Sequence, residues 1–193
     1  MREPKAPSAV ITMADGAQIV IDLCPDQAPN TVRSFVWLAR QGAFDNHAIE
    51  RIVPGYVADM SYHAFGKQLC RYLIANESRS HGWNNTLKVA PGVIAMGGYD
   101  EGIAGGEFFF PFAESPKLDG HYPAFGVIRS GLEEVLRWER VPLRPVQFGA
   151  LAGIEINEPV TPIVIRSVRV QGCQDPCPAP ATVPMTQVPP GWR

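Results

Sequence analysis

A chain of 193 residues, 46% hydrophobic and 19% charged, can bury one sizeable core and has the composition of an ordinary globular domain. Its formal net charge of -2 comes without any block of basic residues, which argues against a nucleic-acid or anionic-membrane partner. The polar, proline-containing N-terminus lacks the pattern of a signal peptide, and no apolar run approaches the ~20 residues that span a bilayer. We therefore expect a cytoplasmic protein.

The cysteines and histidines show no spacing typical of a metal site or a disulfide framework. Cys24 and Cys70 have the character of small core residues or free thiols. Cys173 and Cys177 lie close together, but no histidine or second cysteine pair with zinc-site spacing accompanies them. We therefore expect neither a metal nor a cofactor.

A hairpin and an amphipathic helix are predicted at the start of the chain. Residues 9–13 and 17–23 flank Asp15-Gly16, and the second run alternates apolar with polar residues, which is a good hairpin signal. In residues 28–42 the apolar side chains recur at helical spacing, Pro29 suits the first turn and Gly42 suits the end.

Short apolar runs dominate the rest of the chain. Residues 49–53, 56–60, 93–96, 108–112 and 124–128 read as strands, and glycine-rich or polar loops at 97–102 and 118–120 separate some of them. Residues 131–138 predict a second, shorter helix. Residues 162–170 predict a final strand whose inward side shifts near Ser167, as at a bulge. This pattern indicates a closed β-barrel or a sandwich, and periodicity alone does not choose between them.

Six segments, in order, resemble the cyclophilins, which are peptidyl-prolyl cis-trans isomerases. The first hairpin and helix are similar to the family pattern of a D-G turn, I-x-I-x-L and P-x-x-A-P-x-T-V-x-x-F, and residues 42–45 to G-x-Y-D. Residues 49–59 resemble F-H-R-V-I-P-G-F-M-x-Q. Residues 92–97, 106–110 and 118–127 resemble G-x-L-S-M-A, S-Q-F-F-I and L-D-G-x-H-x-V-F-G-x-V.

The resemblance implies a mainly β fold, an eight-stranded antiparallel barrel closed by two α-helices. It divides the chain into an N-terminal extension (1–8), a cyclophilin-like barrel domain (9–171) and a C-terminal tail (172–193). The tail carries six prolines and little periodic apolar content, so we expect it to be extended or disordered and to add little to the core.

Arg51 is the candidate catalytic residue. It is a single cation among apolar neighbours, where a guanidinium is either paired or put to use. By resemblance it donates to the prolyl amide of the substrate, and the alternative that it only pairs with a carboxylate stays open. The resemblance also implies the substrate-binding residues Tyr56, Val57, Asp59, Gly97, Gly98, Glu107, Phe109, Leu118 and Tyr122.

Asp59 and Glu107 depart from the family, since both positions are typically glutamine in active members. A carboxylate can hold Arg51 in a charge-assisted pair that competes with substrate. Two carboxylates near one arginine can also repel each other and raise the pKa of one. By resemblance, Gly97 and Gly98 occupy the positions of an Ala-Asn pair on the rim that contacts the substrate backbone. This chain therefore lacks the asparagine side-chain amide there.

The leading hypothesis is a monomeric, cofactor-free prolyl isomerase that assists protein folding, acts on proline-containing peptides or client proteins, and has weakened activity. The alternative is a catalytically impaired cyclophilin-like module that binds proline-containing peptides. A third hypothesis, an unrelated β-barrel that binds a small ligand, also stays open.

Overall fold

The computed structural model describes residues 7–60, 67–146, 156–173, 176–189 and 192. Residues 1–6 of the predicted N-terminal extension lie outside the described residues. The described elements, in chain order, are β1 (Ser8–Met13), β2 (Gln18–Leu23), α1 (Pro29–Arg40), β3 (His47–Ile49), β4 (Arg51–Val53), β5 (Val57–Asp59), β6 (Leu73–Ile74), β7 (Val93–Tyr99), β8 (Gly102–Pro111), β9 (Ala124–Ser130), α2 (Leu132–Trp138), β10 (Leu143–Pro145), β11 (Asn157–Pro159) and β12 (Ile163–Gln171).

Nine strands follow one antiparallel path, in the order β3-β12-β1-β2-β9-β7-β8-β5-β4. The two ends of this path, β3 and β4, are separated in the chain only by Glu50, so the sheet forms a nearly closed barrel. β6 pairs with β8 beside the path, and β10 and β11 form a separate two-stranded sheet. The predicted barrel is confirmed. The sequence predicts one strand over residues 49–53, where the structure has β3 and β4. If these two are counted as one strand, the barrel has the expected eight strands.

The predicted hairpin, both helices and the bulge are confirmed. β1 and β2 pair antiparallel around the turn at Gly16, whose φ of 95° suits glycine. α1 has Pro29 in its first turn, as expected. Thr12 pairs with Ser167 but Met13 pairs with Ile165, so the β12 strand shifts register beside Ser167.

The glycine-rich loop predicted over residues 97–102 is wrong. β7 continues to Tyr99 and β8 begins at Gly102, so most of this segment is strand. A Cβ atom at Gly98 would lie 2.6 Å from the carbonyl oxygen of Gly102 and 2.8 Å from the Cα of Ile103. Here glycine marks a close approach of two backbones, not a loop.

An aromatic core fills the barrel and holds both helices. Phe108 and Phe110 of β8 point inward and are almost fully buried. Phe35 of α1 packs against Phe108, with ring centroids 5.5 Å apart, and Trp138 of α2 packs against Phe110 at 5.7 Å. Burying each such ring contributes roughly 1.5–3 kcal/mol, so the helices are fixed by the same core as the strands.

Within the described residues 176–189, the C-terminal tail contains no helix, and its strand pairing is limited to one bridge between Leu73 and Val183. The expectation that it adds little to the core is wrong at Trp192, whose side chain is 2% exposed. The composition of the tail concealed this contact because proline-rich segments carry no periodic signal.

Glu77 anchors the start of α1 from a distant loop. Its Oε1 atom accepts a hydrogen bond from the Asn30 amide at 3.0 Å, and its Oε2 atom accepts from the amide and hydroxyl of Thr31, both at 2.8 Å. α1 has no side-chain cap of its own at the preceding residue. The buried carboxylate therefore satisfies free N–H groups at the positive end of the helix dipole.

Replacing Glu77 by glutamine is expected to lower the free energy of unfolding by about 1–3 kcal/mol, because an amide N–H then faces backbone donors and the negative charge is lost. Urea unfolding followed by circular dichroism measures the change. The matched control is Glu133→Gln on the exposed surface of α2, which should cost less than about 1 kcal/mol. Equal losses in the two variants would contradict the anchoring role.

Candidate active site

A cavity of about 240 Å³ lies on the outer face of the barrel. Its walls come from β4, β5, β7 and β8 and from the loop before β9. The structure brings all ten predicted site residues together around it: Arg51, Tyr56, Val57, Asp59, Gly97, Gly98, Glu107, Phe109, Leu118 and Tyr122.

Strand pairing sets the row of side chains at the centre of the cavity. Arg51 of β4 lies opposite Asp59 of β5, and Asp59 lies opposite Phe109 of β8. Successive side chains of a strand point to opposite faces, and the neighbouring Ile52 and Phe108 belong to the barrel core. Arg51, Asp59 and Phe109 therefore face outward together.

A small apolar cluster, separate from the barrel core, forms the floor of the cavity. It contains Val57, Phe109 and Leu118, which are all at most 5% exposed. Tyr122 packs edge-on against Phe109, with ring centroids 5.7 Å apart. This floor can hold a small apolar ring beside the charged row.

Arg51 and Asp59 form an ion pair at the edge of this floor. The Nη1 atom of Arg51 lies 2.6 Å from Oδ2 of Asp59, and their side chains are 12% and 18% exposed. Partial burial of the pair strengthens the attraction relative to a surface pair. A ligand that approaches the guanidinium must compete with this carboxylate.

Glu107 makes different contacts from Asp59. Its Oε1 atom accepts a hydrogen bond from the Tyr99 hydroxyl at 2.6 Å and another from the Trp192 indole N–H at 3.1 Å. Asp59 and Glu107 therefore contact different residues, Arg51 in the first case and Tyr99 and Trp192 in the second. Sequence reasoning missed Tyr99, which fell in a predicted loop, and Trp192, whose only signal was a bulky aromatic residue in a polar tail.

Burial raises the pKa of Glu107 to about 7. The hydrogen bonds from Tyr99 and Trp192 lower this pKa, and the charge of Asp59 raises it further. The sequence predicts that repulsion between the carboxylates raises one pKa. Repulsion acts in that direction, but loss of water is the larger cause.

Glu107 is expected to make the protein less stable as the pH rises from about 4.5 to about 7. In that range the folded chain keeps a proton that the unfolded chain has released, so unfolding is favoured by rising pH. As the pH rises through this range, the unfolding free energy of the parent should therefore fall relative to that of Glu107→Gln. Urea titrations at a series of pH values test this, and a constant difference would contradict it.

The described residues contain no group of three or more histidine, cysteine or acidic side chains placed to hold a metal ion. In the same part of the chain, no helix has the length and apolar character needed to cross a membrane.

The model of the family described as cyclophilin type peptidyl-prolyl cis-trans isomerase matches residues 9–170. Peptidyl-prolyl cis-trans isomerase-like 2 of Cryptococcus neoformans is 34% identical over 158 residues, which make up 81% of this chain and 26% of that protein. Peptidyl-prolyl cis-trans isomerase B of Bacillus subtilis is 34% identical over 122 residues, which make up 63% of this chain and 82% of that protein. This chain thus spans about a quarter of the fungal relative and most of the bacterial one.

A solved structure has the same fold. The Cryptosporidium parvum cyclophilin type peptidyl-prolyl cis-trans isomerase, crystallised in the presence of the dipeptide Ala-Pro, superposes with a TM-score of 0.67 at 20% identity. The superposition covers 85% of this chain and 98% of that one. With the family match over most of the barrel, these similarities show that the chain belongs to the cyclophilin-type peptidyl-prolyl cis-trans isomerase family.

Proposed function

We propose that the chain is a cofactor-free peptidyl-prolyl cis-trans isomerase in which Arg51 is the catalytic residue. The observation that carries the proposal is that the Arg51 guanidinium and the apolar floor around Phe109 face one cavity. Membership of the family supports the reaction. The ligands we propose are proline-containing peptides or client proteins, consistent with the Ala-Pro dipeptide used for the Cryptosporidium parvum structure.

The reaction needs little chemical machinery. Rotation about an X-Pro bond crosses a barrier of about 18–20 kcal/mol set by amide resonance, and no covalent bond is broken. As the amide twists, the nitrogen lone pair leaves conjugation and becomes a better hydrogen-bond acceptor. A donor fixed beside that nitrogen therefore stabilises the twisted state more than either planar state, which lowers the barrier.

Arg51 suits this donor role. A guanidinium stays protonated at all ordinary pH values and presents several N–H groups in one plane. Its position on β4, paired within the sheet to β5, fixes it before substrate arrives. No proton transfer by Arg51 is required, so we expect its contribution to depend on geometry and charge alone.

The apolar floor has the complementary task of holding the proline ring. Val57, Phe109 and Leu118 offer a buried apolar surface, and Tyr122 forms an edge of it. When the proline ring is held, one side of the X-Pro bond is fixed while the residue before proline rotates. Binding energy is thereby used to orient the substrate.

Asp59 is expected to reduce the activity. Its ion pair occupies the guanidinium that the twisted amide needs, and a hydrogen bond to a charged group is worth about 1.5–3 kcal/mol. Breaking that contact in the transition state would slow the reaction by roughly 10- to 100-fold. We therefore propose a slow isomerase.

The same ion pair favours the alternative, a module that binds proline-containing peptides without useful catalysis. If the Arg51–Asp59 contact persists in the complex, the floor still holds the proline ring but the Nη1 donor of Arg51 stays on the carboxylate and does not serve the amide. In either case we propose a monomer that acts in the cytoplasm without nucleic-acid or membrane partners, on the basis of its composition and net charge.

A protease-coupled assay on an X-Pro peptide tests the proposal. The full chain, at a concentration far below that of the peptide, should speed the slow cis-to-trans phase above its uncatalysed rate. Chemical shift changes in the labelled protein on titration with the same peptide report binding separately. Binding without acceleration would favour the binding module, and neither effect would overturn both.

A further inference from the structure

The C-terminal segment, residues 176–189 together with Trp192, lies along the barrel toward the candidate active site. Three sets of hydrogen bonds fasten it. Asn30 exchanges two hydrogen bonds with the backbone of Ala181 at 2.8 and 2.9 Å. The Val183 amide donates to the Leu73 carbonyl at 2.9 Å, and Glu101 accepts from the hydroxyl and amide of Thr186 at 2.6 and 2.9 Å.

Trp192 lies at the end of this segment and is 2% exposed. Its ring packs edge-on against Tyr99, with centroids 5.8 Å apart. Its indole N–H and the Tyr99 hydroxyl both donate to Oε1 of Glu107, a residue that lines the cavity. Two donors from different parts of the chain therefore hold one carboxylate oxygen.

We propose that Trp192 is a positioning residue that holds the Glu107 carboxylate against Tyr99 and so fixes the charge and direction of one wall of the active site. The C-terminal segment then contributes a residue that shapes the active site. For its effect on rate, this inference rests on the proposed function. For its effect on Glu107 it does not.

The surroundings of Glu107 make its charge sensitive to this contact. Burial keeps the pKa of the carboxyl near 7, where the loss of one donor changes the charged fraction substantially. A freed carboxylate could also turn toward Arg51 and act as a second competing anion. Among the described residues, the titratable and charged groups that face Glu107 are Arg51, Asp59, Cys70, Tyr99 and Tyr122.

A carboxyl titration tests the inference directly. The full-length protein, with 13C-labelled glutamate, is titrated by NMR as the parent and as Trp192→Phe, and Glu107→Gln identifies the resonance. Trp192→Phe keeps an aromatic ring but removes the N–H donor, so the midpoint of Glu107 should rise by about one pH unit. Trp83→Phe, a change at an exposed tryptophan, is the control and should leave the midpoint unchanged. An unchanged midpoint in Trp192→Phe would overturn the inference.

Rates separate positioning from a general structural role. At pH 9, where most of Glu107 is charged with or without the Trp192 donor, the freed carboxylate can compete for Arg51, so Trp192→Phe should lower kcat/KM about fivefold in the parent. It should leave kcat/KM nearly unchanged in a Glu107→Gln background, because the effect passes through Glu107. Equal losses in both backgrounds would overturn the inference. If Trp192→Phe does not fold, benzothienylalanine placed at position 192 keeps the ring shape without the N–H and replaces it in both tests. If the parent has no isomerase activity, the proposed function fails while the titration still decides this inference.

Discussion

Replacing Arg51 by alanine is expected to lower kcat/KM for an X-Pro peptide by about 10²-fold or more, which is roughly 3 kcal/mol of transition-state stabilisation. The apolar floor is untouched by this change, so peptide affinity should fall much less than the rate. The protease-coupled assay gives the rate, and a peptide titration followed by NMR gives the affinity.

Two controls separate catalysis from folding. Arg33→Ala removes a guanidinium from the exposed surface of α1 and should leave the rate unchanged. Arg51→Ala also leaves Asp59 without its ion-pair partner, which should cost stability. The double variant Arg51→Ala with Asp59→Ala should recover that stability without recovering the rate. Equal rates for the parent and Arg51→Ala, both well above background, would end the catalytic assignment.

Replacing Asp59 by glutamine is expected to raise kcat/KM by about tenfold, because a neutral amide can still orient the guanidinium but competes less for it. Glu107→Gln should give a smaller gain, since Glu107 hydrogen-bonds to Tyr99 and Trp192 while Asp59 holds the ion pair. The assay is run on both single variants and on the double variant.

Asp26→Asn is the matched control, because it removes one negative charge from an exposed position away from the cavity and should leave the rate unchanged. If the parent and the double glutamine variant are both inactive while peptides still bind, the idea of a weakened enzyme fails. The chain is then better described as a peptide-binding module.

The sequence predicts much of the site because strand periodicity fixes which side chains share a face. Phe108 and Phe110 are in the barrel core while Phe109 lies in the outer cluster, so period-two alternation along β8 places Glu107 and Phe109 on the same side. Pairing then sets Asp59 opposite both Arg51 and Phe109. Local patterns and the family motifs contain this information.

The contacts that the sequence did not predict depend on distant parts of the chain. Gly98 has the composition signal of a loop, yet it lies in a strand because the backbone of Gly102 and Ile103 approaches it closely. Trp192 follows a proline-rich stretch, and only the folded barrel brings it to Glu107. Neither the close approach of two backbones nor the packing of a non-periodic segment produces a local sequence pattern from which it could be predicted.

We propose that this cavity speeds prolyl rotation through Arg51. Magnetisation-exchange NMR on an X-Pro peptide at equilibrium tests it most directly, because cis-trans exchange is observed without a protease. The uncatalysed exchange takes tens to hundreds of seconds, and we expect a small fraction of parent protein to bring it into the measurable range. We expect no such acceleration from Arg51→Ala at equal peptide occupancy. If the parent leaves the exchange at its uncatalysed rate, or if Arg51→Ala accelerates it equally, Arg51 is not the catalytic residue of this cavity.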